Sequence, residues 1–72
     1  MKKVFQLEEI DCPHCAMKME DGVRKIDGVI SVSINFLSQK MAIEAEESDF
    51  PEIIKKAGKE IKKVDRNCRI IL

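Results

Sequence analysis

Residues 30 to 36 alternate without a break. Ile30, Val32, Ile34 and Phe36 are apolar, and the residues between them, Ser31, Ser33 and Asn35, are polar. A period of two puts one set on each face of a strand, so this segment is half in a core and half in water. Such a strand needs a neighbour in a sheet and an apolar cover over its inner face. The neighbour follows at once. Leu37-Ser38-Gln39 makes a short turn, and Met41, Ile43 and Ala45 share a face in the next strand, so the pair is expected to be an antiparallel hairpin.

Two helical stripes supply the cover. From Cys15 to Ile26, the apolar residues Ala16, Met19, Val23 and Ile26 recur at three- and four-residue steps. Gly22 weakens this helix by ~1 kcal/mol relative to alanine, and Gly28 is expected to end it in the left-handed conformation. Ile53, Ala57, Ile61 and Val64 form the second stripe. Asp49 and Glu52 have the spacing of a capping box, and Pro51 suits a first turn. Gly58 could stop this helix early, and the lysines spread around its other faces are expected to be solvated.

Two further strands complete the set. One runs from Lys3 to Glu8 with Phe5 and Leu7 on one face; the other runs from Arg66 to Leu72 with Cys68, Ile70 and Leu72 on one face. The order is strand, helix, strand, strand, helix, strand. The expected fold class is α+β, a four-stranded antiparallel sheet with two helices on one face. At 72 residues the chain has room for a single domain over residues 1–72.

Composition removes several function classes. With 44% hydrophobic and 36% charged residues the chain is globular rather than disordered. Its 13 basic and 13 acidic residues cancel, and it has no Trp or Tyr, so neither a nucleic-acid footprint nor a stacking platform is present. No apolar run approaches the roughly 20 residues of a membrane span, and no secretory core follows Lys2-Lys3. A cytoplasmic, soluble, monomeric domain without membrane insertion of its own is expected. Three cysteines, an odd number, argue against a secreted disulfide scaffold.

The chemistry collects in Ile10-Asp11-Cys12-Pro13-His14-Cys15. Placed between a strand and a helix, Cys12 falls in the loop and Cys15 in the first helical turn. The free N–H groups and positive dipole end of the helix favour thiolate there. Two thiolates suit Zn(II), Cd(II), Pb(II), Hg(II) or Cu(I). Two sulfurs alone complete a near-linear Cu(I) or Hg(II) site, whereas Zn(II) and Cd(II) want about four ligands. Asp11, directly before Cys12, is placed to add a carboxylate oxygen, or else to cap the helix. His14 is expected to point outward and Met17 to be exposed, Met19 and Met41 to lie in the core, and Cys68 to act as a small buried hydrophobe. A site left open at one or two positions favours metal transfer over storage.

The rival reading is a thiol–disulfide oxidoreductase, because Cys-Pro-His-Cys also opens a helix in strongly oxidising enzymes with a thioredoxin-like fold. Such a domain is longer and carries a cis-proline loop just before a strand. Here Pro51, the second of the two prolines, precedes a helical pattern instead.

The run Ile10 to Ala16, then Met19-Glu20, Val23, Gly28-Val29, Val32-Ser33-Ile34-Asn35-Phe36 and Lys40, resembles the heavy-metal-associated domain. Soft-metal P-type ATPases and small metallochaperones use that family. The resemblance covers essentially the whole chain. It implies a ferredoxin-like βαββαβ fold with metal on the exposed first loop, ligands at Cys12 and Cys15, and Ile10 in a buried place usually held by Met. It further implies a non-enzymatic domain that exchanges ions with a thiolate-bearing partner or with the membrane part of an ATPase. Two departures bear on the ion. Copper-type members usually carry a small or hydroxyl residue before the first cysteine and often an aromatic or lysine after the second helix. Here Val64-Asp65-Arg66-Asn67 offers no aromatic, and Asp11 and the lengthened basic second helix without a Gly-Tyr ending look like the zinc-, cadmium- and lead-exporting branch instead. Zn(II), Cd(II) or Pb(II) is therefore expected ahead of Cu(I).

Overall fold

The computed structural model describes residues 1–10 and 12–71. In chain order it contains β1 (Lys2–Glu8), α1 (Pro13–Arg24), β2 (Val29–Asn35), β3 (Lys40–Ala45), α2 (Phe50–Val64) and β4 (Arg69–Ile71). The strands form one sheet in the order β2-β3-β1-β4, and every neighbouring pair is antiparallel. This is the expected α+β sheet, in the ferredoxin-like arrangement.

Alternation decides which face is covered. Leu7 of β1, Val32 of β2 and Met41, Ile43 and Ala45 of β3 point to one side and are buried. Met19 and Val23 of α1 and Ile53, Ala57 and Ile61 of α2 lie over them in the same core cluster. Complete burial of one such large side chain contributes about 1.5–3 kcal/mol, so the two stripes and the sheet hold each other in place. Gly28, at φ +96°, turns the chain from α1 into β2. A side chain there would be strained in conformation and would stand 3.3 Å from Asp49 Oδ2 and 3.4 Å from Ile53 Cδ1.

Several boundaries differ from the sequence expectation, each for a local reason. Helix α1 begins at Pro13 rather than Cys15, because the Ala16 N–H already reaches the Cys12 carbonyl at 3.2 Å. It ends at Arg24 rather than Ile26. Ile30 is not on the buried face; it is 65% exposed. A register shift between Val29 and Ser31 inserts an extra residue and turns half-buried Val29 inward in its place. Phe36 belongs to the turn after β2 and packs on the core from there.

The capping box at Asp49 does not form. Glu47–Asp49 is a 3₁₀ turn that leaves Asp49 at φ −88°, ψ −15°, and its side chain makes no cap hydrogen bond. An N-cap needs extended backbone to aim its oxygen back at the helix. Gly58 does not stop α2, which continues to Val64. The final strand starts at Arg69, not Arg66, since Arg66 and Asn67 turn around Asp65. Cys68 and Ile70 face inward as alternation requires, and Leu72 lies outside the described residues.

The topology gathers three connections at one end. Gln6 pairs with Lys40 and Glu8 with Arg69, so the β1–α1 loop, the β2–β3 turn and the α2–β4 loop lie side by side.

Candidate functional site

The β1–α1 connection is built around a sulfur used as a helix cap. Cys12 has extended backbone, φ −150° and ψ 151°, and its Sγ accepts the Cys15 N–H at 3.1 Å. A serine or aspartate oxygen ordinarily fills this role. Pro13 follows at the start of the helix, where its fixed φ fits and its missing N–H costs nothing. Cys15 sits in the first turn, half-buried against the core, beside buried Ala16. Ile10, 3% exposed, anchors the loop from below. Both cysteines therefore meet at the loop–helix junction, half-exposed, as their spacing requires.

The electrostatics are less simple than the helix end alone implies. The Cys15 thiol is held above its ordinary range, chiefly by its hydrogen bond with Cys12, then by burial and by the negative charge of Cys12 and Asp65. Lys18 pulls it back down. Two like charges at one junction are unfavourable, so the first ionisation of the pair hinders the second. A cation between the sulfurs reverses this, and ion binding and proton release become one event.

The neighbouring connections frame the loop. Glu9 has a left-handed backbone, φ 64°, just before the motif. The Leu7 N–H donates to the Gln39 carbonyl at 2.7 Å. The Gln39 side-chain Nε2 donates to the Ile10 carbonyl at 3.1 Å. From the α2–β4 loop comes Asp65, half-buried, whose Oδ1 accepts the Asn67 N–H at 2.9 Å.

Of the residues singled out by sequence, Cys12 and Cys15 are brought together, and Asp11 lies outside the described residues. His14 is exposed. Met17 is 65% exposed, whereas Met19, Met41 and Cys68 are fully buried. Among the described residues no group of three or more His, Cys, Asp or Glu side chains forms a ready-made metal cluster. Two residues escaped the sequence reading. In the sequence Asp65 marks only the lack of an aromatic, although α2 must return the chain to the cysteine end. Gln39 gave no local signal, because its partner is 29 positions away. The ferredoxin-like topology is not the thioredoxin-like one that the oxidoreductase reading requires.

A family model described as the heavy-metal-associated domain matches residues 4–60. A cadmium, zinc and cobalt-transporting ATPase of Bacillus subtilis is 29% identical over 70 residues, which cover 97% of this chain and 10% of the ATPase. The copper chaperone CopZ of Enterococcus hirae is 29% identical over 49 residues, covering 68% of this chain and 71% of CopZ. The solved N-terminal domain of ZntA in its apo form superposes with a TM-score of 0.74 at 24% identity, over 99% of this chain and 92% of that one.

Proposed function

Because the chain belongs to the heavy-metal-associated domain family, we propose that Cys12 and Cys15 hold a soft or borderline metal ion as cargo and pass it to the thiolates of a partner. The observation that carries this reading is the junction itself. One sulfur caps the helix, the other lies one turn along, and both remain partly open to solvent. An open position lets an incoming thiolate bond to the ion before either cysteine lets go, so transfer avoids a free ion. The domain works by ligand exchange and catalyses nothing itself.

Zn(II), Cd(II) or Pb(II) is the favoured cargo. Asp11 adjoins Cys12 in sequence and would supply an oxygen to an ion that wants more than two ligands. Asp65 adds negative charge from the opposite loop, as its effect on Cys15 indicates. Negative charge favours a divalent ion over Cu(I), for which two thiolates already suffice. The likeness to a cadmium, zinc and cobalt-transporting ATPase of Bacillus subtilis supports this choice. Cu(I) delivery is the second reading, favoured by the likeness to CopZ.

The partner would be the membrane part of a metal-exporting P-type ATPase, or such an ATPase served by a free metallochaperone, with this domain monomeric in the cytoplasm. Among the described residues no helix is long and apolar enough to cross a membrane.

Calorimetric titration tests the assignment. Cys12→Ala and Cys15→Ala each abolish stoichiometric Cd(II) and Zn(II) binding, while Cys68→Ala leaves it intact. In chelator competition, Asp11→Asn weakens Zn(II) and Cd(II) by roughly ten- to a hundredfold and leaves Cu(I) unchanged or tighter. Equal loss for all three ions would remove the divalent preference.

A further inference from the structure

We infer that Gln39, in the turn between β2 and β3, is the positioning residue for the cysteine loop; its value for metal capture rests on the reading of Cys12 and Cys15 above. Gln39 is held at φ 55°, a left-handed conformation in which turns favour Gly or Asn. A glutamine kept there invites the question of what its longer side chain reaches. Its Nε2 donates to the Ile10 carbonyl at 3.1 Å. Its own carbonyl accepts the Leu7 N–H at 2.7 Å and the Gln6 Nε2 at 3.1 Å. The turn thus grips β1 at its end and the loop beyond it.

Position 10 is consequently fixed from two directions. The Ile10 side chain is buried in the core at 3% exposure, and its carbonyl is tied to the hairpin. A single residue separates Ile10 from Cys12. The hairpin is a firm support, because Asn35 Oδ1 accepts the N–H groups of Leu37 at 2.9 Å and Ser38 at 3.1 Å. Cys15 is placed by the helix, whereas Cys12 stands where loop and helix meet, its Sγ and carbonyl capping the first turn and its chain leading back to Ile10. Releasing the latch therefore loosens the loop side of this support, and preorganisation of the pair is weakened.

Two substitutions isolate the side-chain donor. Gln39→Glu keeps the length but sets a carboxylate against the Ile10 carbonyl. Gln39→Asn keeps a donor and suits the left-handed backbone, but is one methylene short. In both, amide exchange at Glu9, Ile10 and Cys12 of the metal-free protein rises about tenfold while the β3 amides keep wild-type protection. Cd(II) affinity falls about tenfold, the low end for loss of an outer-shell partner, with the number of ions bound unchanged. Wild-type loop exchange in Gln39→Asn overturns the inference, because the backbone conformation would then be doing the positioning. Faster exchange across β3 as well overturns it too, reducing Gln39 to a general stabiliser. Wild-type protein that binds no Cd(II) would sink the metal reading alone; exchange in the metal-free variants judges the latch independently.

Discussion

Both helices begin with a proline in the first turn, yet the two starts are secured in opposite ways. At α2 the chain arrives through a 3₁₀ turn, Asp49 makes no side-chain cap, and Phe50 and Ile53 are buried to 3% and 1% exposure. Phe50 also meets the Phe5 ring, with centroids 6.3 Å apart, and carries Lys3 Nζ 4.8 Å above its face. At α1 the first residues, Pro13 and His14, are exposed, and what holds the turn is the Cys12 Sγ on the Cys15 N–H. A helix start anchored by packing can dispense with a polar cap. One facing solvent cannot, and here the capping atom is also the atom proposed to bind metal. An ion bound at this sulfur would therefore be felt directly by the first turn of α1.

The largest expected effect separates these two duties of Cys12. Cys12→Ser removes metal binding altogether but leaves α1 as well started as before, since a serine oxygen is a good cap. Cys12→Ala loses binding and, relative to Ser, about 1 kcal/mol of stability. Cd(II) titration with urea unfolding of both variants checks this. Equal stability of the two would mean that the sulfur contact contributes nothing to the helix.

Next in size is the packed start. Phe50→Ala should cost about 3–5 kcal/mol, much of what a domain of this length possesses. Thermal unfolding measures it, and a loss below about 1 kcal/mol, the worth of a single cap, would break the contrast. The smallest effect is at Asp49. Asp49→Ala should change stability by no more than about 0.5 kcal/mol, because no cap is lost. A drop of the size expected for Cys12→Ala would show that the carboxylate caps α2 after all.

The same two regions show what a sequence discloses. The cysteine junction was legible because spacing, proline and the onset of the apolar stripe all depend on neighbours in the chain. Asp49 satisfied the capping rule in letters but failed in backbone, since the 3₁₀ turn before it had no distinctive composition. Ile30 misled for a related reason. Val29 and Ile30 are both apolar, so a one-residue bulge could exchange their faces without disturbing the pattern. Cys68 was correctly read as buried from its parity with Ile70, although it precedes the strand. What stayed hidden were long-range side-chain roles. The field of Asp65 at Cys15 and the reach of Gln39 to Ile10 exist only once three connections share one end of the sheet.

Cys68 gives the molecule a built-in reporter. It is 0% exposed, whereas Cys12 and Cys15 are half-open. A thiol-reactive dye therefore counts two sulfurs in the native protein and three in the unfolded chain. The pace at which the third is labelled records how often the core opens, with no added tag or substitution.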